Sequence, residues 1–401
     1  MKKLLFPIIL ILIMAACVTP YYPTITKYEN LLVVDGQMTN LTGPYKIKLS
    51  RTYRYDGGVG EKVTGANLKI IDNTGLEVQL KEISTGVYST VDTTFHGVPG
   101  KSYKLQIKTN NEVYESDFET LKPPLPIDKV NWEYKPQDSD GPRSVKLLLD
   151  AHDPTNNTRY YGWEYIETWK FKVRLDIVNP PKPEWKTCYQ TDTSKFINLG
   201  TTVERTNDVI EKQVLQTIEE KTNRLNIRYS ILARQYSFTE PTYRYLYNLT
   251  KLNQNQGTLF DQTPYSLLGN LKCVSNKNIP VVGYFLVAGV SEKRIFIDRT
   301  DLPKEFNPTD GFDGCLHEEV YIDVRIKDYR LNKKYDSLTR LNYSVYDTIH
   351  MPVCKEPIPP YPTPCTLIPG ILLFMAKSTC YNCTVTGDNK VPAFWTEKKW
   401  Q

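Results

Sequence analysis

The sequence predicts a mainly β protein, and three observations support that fold class. Short apolar or alternating stretches recur along the chain, turn residues separate them, and tyrosine (28) and proline (27) are abundant. Aromatic residues favour strands, and frequent prolines mark turns. We therefore expect an N-terminal immunoglobulin-like or transthyretin-like β-sandwich, followed by a larger β-rich domain with one or two inserted helices.

The first predicted domain covers residues 30–121. Turn clusters such as "DNTG", "GVPG" and "NNE" separate its seven strand-like stretches. In "SYKLQIKT", Tyr103, Leu105 and Ile107 fall on one face, and the residues between them are polar. This period of two is typical of a strand with one buried face. The spacing of the stretches predicts a β-sandwich, and no cysteine is present there to staple it.

A proline-rich segment, residues 122–126 within "LKPPLPID", is the predicted linker. Prolines remove backbone donors and keep the chain extended. Residues 127–401 form the predicted larger domain, which carries the disulfides. There, "RYYGWEYIETWKFKV" has an alternating row of aromatic residues, and "VVGYFLVAGV" is apolar nearly throughout. The first pattern predicts a half-buried strand, and the second predicts a central strand covered on both faces.

One helix is predicted in "SFTEPTYRYLYNLTKLNQNQG", with Thr239 as its N-cap and Gly257 at its end. Tyr243 and Tyr247 lie one turn apart, whereas Tyr245 points to another side. The three tyrosines are therefore a candidate aromatic binding surface. The alternative is that they pack on the sheet, as most helical aromatic residues do.

The N-terminus has the pattern of an export signal. Two lysines precede an apolar run that is too short for a membrane-spanning helix of about 20 residues. Small residues before Cys17 resemble the bacterial lipobox, in which the thiol is alkylated with diacylglycerol. We expect a signal peptide over residues 1–16, lipid on Cys17 and a tether over residues 17–29. The alternative is ordinary cleavage after Ala16, with Cys17 free to join a disulfide.

Seven further cysteines are disulfide candidates, because an exported chain meets an oxidising compartment. If Cys17 carries lipid, an odd number remains and one stays a thiol. Cys380 and Cys383 have the spacing of a metal or redox pair, but we expect structural disulfides in which each reaches a different partner. The sequence leaves the pairing open. The candidates are Cys188, Cys273, Cys315, Cys354, Cys365, Cys380 and Cys383.

Charge and motifs give no support to nucleic-acid binding or catalysis. The net charge is only +5, and its lysines and arginines are dispersed. "CLHEEV" is better explained as a strand face and "DAHDP" as a turn. We expect no enzymatic activity, no metal and no cofactor. The histidines, none in a metal or triad signature, are His96, His152, His317 and His350.

Four long segments resemble a known family. They are "LLVVDGQMTNLTGPYKIKLSRT", "RLNIRYSILARQYSFTEPTYRYLYNLTKLNQNQGTLFD", "VVGYFLVAGVSEKRIFI" and "CYNCTVTGDNKVPAFW". Together they are similar to Bacteroidota outer-membrane lipoproteins catalogued as a domain of unknown function. The resemblance implies a lipid-anchored outer-membrane protein, often encoded beside TonB-dependent receptors, and it brings no catalytic residue. Surface lipoproteins of these bacteria often carry acidic residues after the cysteine. Here none precedes Glu29, which leaves the membrane face open.

The resulting hypothesis is a lipid-anchored cell-envelope binding protein, accessory to an outer-membrane TonB-dependent transporter, which binds a solute or the receptor without chemistry. The aromatic rings of Tyr243, Tyr245 and Tyr247 are its candidate surface. The alternative is a structural or interaction subunit of an outer-membrane assembly without a small ligand, and a hydrolase ranks third. A concave aromatic pocket would favour solute binding, whereas a broad apolar patch would favour assembly.

Overall fold

The computed structural model describes residues 30–52, 60–139, 141–175, 182–254, 269–309, 315, 318–323, 333–340, 343–355 and 366–397. Over these residues the helices are α1 (Glu240–Gln254) and α2 (Lys333–Arg340). The strands are β1 (Leu32–Thr39), β2 (Lys46–Arg51), β3 (Asn67–Asp72), β4 (Glu77–Ser84), β5 (Val87–Thr90), β6 (Ser102–Lys108), β7 (Val113–Ser116), β8 (Glu119–Thr120), β9 (Lys129–Lys135), β10 (Ser144–His152), β11 (Tyr160–Lys172), β12 (Thr187–Thr193), β13 (Asn198–Thr201), β14 (Val209–Glu219), β15 (Arg228–Ser237), β16 (Leu271–Cys273), β17 (Val281–Asp298), β18 (Glu318–Asp323), β19 (Tyr343–Lys355) and β20 (Thr366–Lys377).

The mainly β fold class is confirmed. One large mixed sheet has the order β12-β11-β15-β17-β1-β2-β5-β4-β3-β6-β7-β16, with β13 beside β11 and β8 beside β6. Two three-stranded sheets, β14-β10-β9 and β18-β20-β19, accompany it. In the part of the chain that the structure describes, neither helix is long and apolar enough to cross a bilayer.

Strand β17 joins the two halves of the protein. It pairs in parallel with β1, from Leu32↔Val281 to Thr39↔Ala288, and antiparallel with β15. Its first ten residues are almost entirely buried, so the prediction of a central strand covered on both faces is confirmed. A parallel pair needs a long crossover, and here the whole middle of the chain supplies it.

The core of the N-terminal unit comes from two distant parts of the chain. The predicted face of β6 is confirmed, because Tyr103, Leu105 and Ile107 are all buried. The same core, however, also contains Leu271, Cys273, Val281, Phe285 and Val287. Residues 30–121 therefore do not enclose their own core, because β16 and β17 complete it. The assignment to an immunoglobulin-like or transthyretin-like sandwich stays a prediction.

Strand β16, at the far end of the strand order, lies close to β17 in the middle of it. β16 pairs with β7 at the end of the row, and the side chain of Asn270 then bonds to both backbone groups of Phe285. Its Nδ2 donates to the Phe285 carbonyl at 2.9 Å, and its Oδ1 accepts from the Phe285 N–H at 2.9 Å. This amide covers an edge that would otherwise offer unpaired groups.

The proline-rich segment predicted as a linker is docked on the large sheet. Leu125 is buried, its N–H donates to Ser237 Oγ at 3.3 Å, and its carbonyl accepts from Gln235 Nε2 at 3.1 Å. The carbonyl of Lys122 also lies against Gly289, 2.2 Å from where a Cβ would stand. The segment is extended as expected, but the absence of a side chain at Gly289 lets it pack onto β17 and become part of the core.

A second core lies between the large sheet and the sheet β14-β10-β9. The aromatic row of β11 faces it, with Tyr161, Trp163, Trp169 and Phe171 all buried. This confirms that the aromatic row shares one face, but Gly162 and Thr168 on the opposite face are buried too, so the strand is not simply half-buried. Inward-facing residues of β9, β10 and β14 cover the row from the other side, as in a packed pair of sheets.

Two disulfides fasten the C-terminal part to this second core. Cys188 on β12 is bonded to Cys383, and Cys315 is bonded to Cys380. The two cysteines of "CYNC" thus have different partners. Among the cysteines whose side chains the structure describes, Cys273 is the free thiol, and it is buried. The side chain of Cys354 and the whole of Cys17 and Cys365 lie outside the description.

Gly283→Ala tests the contact between β1 and β17. Gly283 has φ +109°, and a Cβ would lie 1.9 Å from the Val34 carbonyl oxygen. We expect a loss of about 3 kcal/mol or more in the free energy of unfolding, measured by urea denaturation. Gly75→Ala is the matched control, because its φ is +92° but its surroundings are open. It should cost only about 1–2 kcal/mol, and equal losses in the two variants would contradict the clash.

Candidate ligand-binding cleft beside helix α1

Helix α1 begins where the sequence predicts. The Thr239 hydroxyl accepts from the backbone N–H of Thr242 at 3.4 Å, and its carbonyl accepts from the N–H of Tyr243 at 3.0 Å. The same hydroxyl donates to Glu119 Oε2 at 2.9 Å. The Thr239 hydroxyl therefore caps the helix and also links its first turn to β8. The predicted stop, Gly257, lies outside the described residues.

The three predicted tyrosines face two sides of α1. The rings of Tyr243 and Tyr247 stack with centroids 6.1 Å apart, and Tyr243 also contacts Tyr160 of β11 at 5.1 Å. Tyr245 points the other way, with its ring 4.5 Å from that of Tyr284. Tyr243 and Tyr245 are half-buried on the sheet, whereas Tyr247 is exposed. The three tyrosines therefore do not form one surface. Of the three, only Tyr245 lines the cleft described next.

The α1 cleft, between the start of the helix and strands β8 and β17, has a volume of about 770 Å³. Its size falls within the range of small-molecule sites. Its wall combines aromatic rings, carboxylates and amides. The lining residues are Asp117, Phe118, Glu119, Thr120, Thr239, Glu240, Pro241, Arg244, Tyr245, Asn248, Gly269, Asn270 and Tyr284.

The buried end of the α1 cleft is a fixed carboxylate. Glu119 is 6% exposed, and it accepts from the Tyr284 hydroxyl at 2.6 Å and from Thr239. Burial and the Glu119 carboxylate together raise the pKa of Tyr284. The Tyr284 hydroxyl therefore keeps its proton at neutral pH and serves as a donor. A buried carboxylate held by hydroxyl donors in this way is preorganised.

The outer rim of the α1 cleft carries exposed charge. Asp117 pairs with Lys272 at 2.6 Å, and Glu240 pairs with Arg244 on the next turn of the helix. Three carboxylates line the cleft, and Arg244 and Lys272 pair with two of them, so three carboxylates stand against two cations. This balance favours a solute that carries positive charge or many hydrogen-bond donors.

The "DAHDP" motif ends strand β10 in a turn, as predicted from the sequence. Strand β10 ends at His152, whose Nδ1 lies 2.7 Å from Asp128 Oδ2 on the surface. Asp153 is buried and accepts from the N–H groups of Thr155 (2.8 Å) and Thr158 (2.8 Å). Both aspartate oxygens are used by the turn.

The described residues contain no group of three or more histidine, cysteine, aspartate or glutamate side chains placed to hold a metal. His96 is exposed and contacts the Thr94 carbonyl. His317 lies outside the description, as does the side chain of His350. Of the "CLHEEV" pair, only Glu319 is described, and it is exposed.

Sequence reasoning found Tyr245 but missed the polar residues that surround it. Glu119 begins the two-residue strand β8 and Asn270 precedes β16, and both resemble ordinary surface residues in the sequence. The one available signal for Tyr284 is its place inside an apolar strand, where a hydroxyl needs a partner. That signal does not reveal that the partner is Glu119, which is 165 positions away.

The fold and the cleft define a β-rich protein with a concave, aromatic and acidic site. A family model described as "Domain of unknown function (DUF4249)" matches residues 18–294, which is more than half of the chain. The protein therefore belongs to this family. The match ends within β17, so it covers less of the chain than the sequence resemblance, which extended to the C-terminal "CYNCTVTGDNKVPAFW". No curated protein matches the chain.

Asp153 predicts an acid-dependent loss of stability. Burial alone would raise its pKa, but hydrogen bonds from Thr155 and Thr158 outweigh burial and lower it from 3.8 to about 2. Its contribution of about 2 kcal/mol is therefore present above pH 4 and lost as the pH falls through 2. Urea denaturation between pH 5 and 2 should show a shallower pH slope for Asp153→Asn.

Asp92→Asn is the control for that experiment. Asp92 accepts from Thr94 in a similar turn, but it is exposed. We expect its removal to change the pH slope much less than removal of Asp153, because solvent screens an exposed carboxylate. An identical slope in the wild type and in Asp153→Asn would contradict the role of this turn.

Proposed function

We propose that the protein is a lipid-anchored cell-envelope binding protein, accessory to an outer-membrane TonB-dependent transporter, that holds a solute in the α1 cleft without transforming it. The observation that carries the proposal is the α1 cleft. It combines the adjacent Tyr245 and Tyr284 rings, tilted by 30° to each other, with the fixed carboxylate of Glu119. Aromatic faces and a few oriented polar groups are the usual composition of a solute site.

The geometry supports binding by a largely preformed site. Thr239, Glu119 and Tyr284 are linked by hydrogen bonds, and they come from the helix start, β8 and β17. A ligand would therefore meet a wall that already has its bound shape, which lowers the ordering cost of binding. The excess of carboxylates favours a solute with a cationic or amine group.

The N-terminal sequence supports the anchored location. Small residues before Cys17 fit lipid attachment, and a lipidated cysteine with several acyl chains gives stable membrane anchoring where a single chain does not. Residues 17–29 would then give the β-rich body reach from the membrane. The resemblance to outer-membrane lipoproteins supports a TonB-dependent receptor as partner, and it leaves the membrane face open.

Tyr245→Ala is expected to weaken retention of the solute about tenfold, because it removes a ring that forms one side of the α1 cleft. Native mass spectrometry of protein extracted from its own envelope would measure the fraction that keeps a bound small molecule. Leu249→Ala is the matched control, because it is exposed on the same helix. A wild-type protein that carries no small molecule, or equal retention in the two variants, would contradict solute binding in the cleft.

Cys17→Ser is expected to move the protein from the membrane fraction to the soluble fraction and to remove a receptor from its pull-down. The experiment is a mild-detergent pull-down of the tagged chain, with mass spectrometry of partners and of the N-terminal peptide. Wild-type protein should yield a diacylated Cys17 and a TonB-dependent channel. An unlipidated N-terminus without a membrane partner would rule out both, and stoichiometric partners other than a channel would favour the structural-subunit alternative.

A further inference from the structure

A second site lies at the edge of the large sheet, where residues 194–197 connect β12 to β13. Two cavities flank this connection, one of about 400 Å³ and one of about 620 Å³. Phe196 and Asn198 line both cavities, so the two adjoin at the sheet edge. We call the pair of cavities the edge groove. It shares no lining residue with the α1 cleft.

The floor of the first cavity is a buried carboxylate in a fixed array. Glu167 is 1% exposed, and it accepts from the Tyr229 hydroxyl at 2.7 Å and pairs with Arg224 Nη2 at 3.2 Å. Burial raises the pKa of Glu167, and the bonds from Tyr229 and Arg224 oppose that rise. The Arg224 guanidinium also lies 5.2 Å from the centre of the Trp169 ring. Three contacts thus hold the floor in one geometry.

The floor retains capacity for a ligand. Nη2 of Arg224 makes the pair with Glu167 and also lies 3.9 Å from Asp192. Both pairs use Nη2, so the N–H groups on Nη1 and Nε of Arg224 are not used by either pair. The Arg224 side chain is 25% exposed. Asp192 is exposed at the same cavity. Charged donors and acceptors therefore stand side by side, as recognition of neighbouring hydroxyl groups requires.

The charge of the first cavity is balanced. Its lining contains two carboxylates, Glu167 and Asp192, and two cations, Lys195 and Arg224. The other polar groups are uncharged, among them Asn198. A site with balanced charge gains little from a net charge on the ligand, whereas its many donors and acceptors suit a neutral, polyhydroxylated molecule.

Exposed aromatic rings mark the path of the groove. Phe196 is 71% exposed and Tyr247 is 42% exposed, and both line the second cavity. The Lys251 ammonium lies 4.5 Å from the centre of the Tyr247 ring. The Phe196 ring contributes little to the core and offers a flat apolar face, whereas Tyr243 and Lys251 contact the faces of the Tyr247 ring. The C–H faces of a sugar ring complement such a surface, and sugar hydroxyls complement the polar floor.

We propose that the edge groove binds a neutral oligosaccharide, with one sugar unit over the Glu167–Arg224 floor and the following units along Phe196 and Tyr247. Because one cavity lies on each side of Phe196, a ligand that fills both must be a chain of several sugar units rather than a single sugar. This site is independent of the solute in the α1 cleft.

Titration calorimetry of the full-length protein with defined hexasaccharides tests the proposal. The neutral probes are cellohexaose, maltohexaose, laminarihexaose, xylohexaose and mannohexaose. The charged probes are hexagalacturonic acid and the hexamer of glucosamine. At least one neutral hexasaccharide should bind, and Phe196→Ala should weaken its binding tenfold or more. Asp192→Asn should weaken it several-fold, because it removes an acceptor beside the floor.

Phe118→Ala is the matched control, since Phe118 is an exposed phenylalanine that lines the α1 cleft instead. It should change hexasaccharide binding less than twofold. The proposal is overturned if no neutral hexasaccharide binds at 5 mM, if a charged hexamer binds more tightly than every neutral one, or if Phe196→Ala leaves binding unchanged. Both phenylalanines are exposed, so circular dichroism should show folded protein for both variants.

Discussion

The structure depends on the parallel pairing of β1 with β17. Strand β17 is 18 residues long and contributes to three hydrophobic cores in the part of the chain that the structure describes. Phe285 and Val287 enter the N-terminal core, Tyr284 and Leu286 enter the core beneath α1, and Ile297 enters the core shared with the sheet β14-β10-β9. A parallel pair formed so late in the chain carries a high loop-closure cost. Its burial on both faces offsets that cost.

The α1 cleft follows from the register of this pair. Tyr284 faces Glu119 and the helix, and its neighbour Phe285 faces the N-terminal core. A slip of one residue would exchange them and leave the Glu119 carboxylate buried beside a phenylalanine. Asn270 opposes such a slip, because its amide bonds to both backbone groups of Phe285. The same contacts that close the sheet therefore also build the candidate site.

The two sites differ in how they hold polar groups. In the α1 cleft the buried Glu119 accepts hydrogen bonds from two hydroxyl groups, and the lining holds more carboxylates than cations. In the edge groove the buried Glu167 is paired with Arg224, and the lining is balanced in charge. Burying a carboxylate is costly unless it is bonded, so both sites use hydrogen bonds from tyrosine to keep one. The difference in net charge predicts different ligand preferences for the two proposed sites.

The sequence by itself determined the fold class, the buried faces of β6 and β11, the burial of β17 and the start of α1 at Thr239. Each follows from a local period or a capping residue, which acts within a few positions. The tertiary structure alone decided that β17 pairs with β1, that residues 122–126 pack onto Gly289, and that Cys188 and Cys315 are the partners of Cys383 and Cys380. It also placed Glu119 beside Tyr284. These contacts join residues far apart in the chain, and a local pattern records which face a residue takes but not which distant residue meets it there.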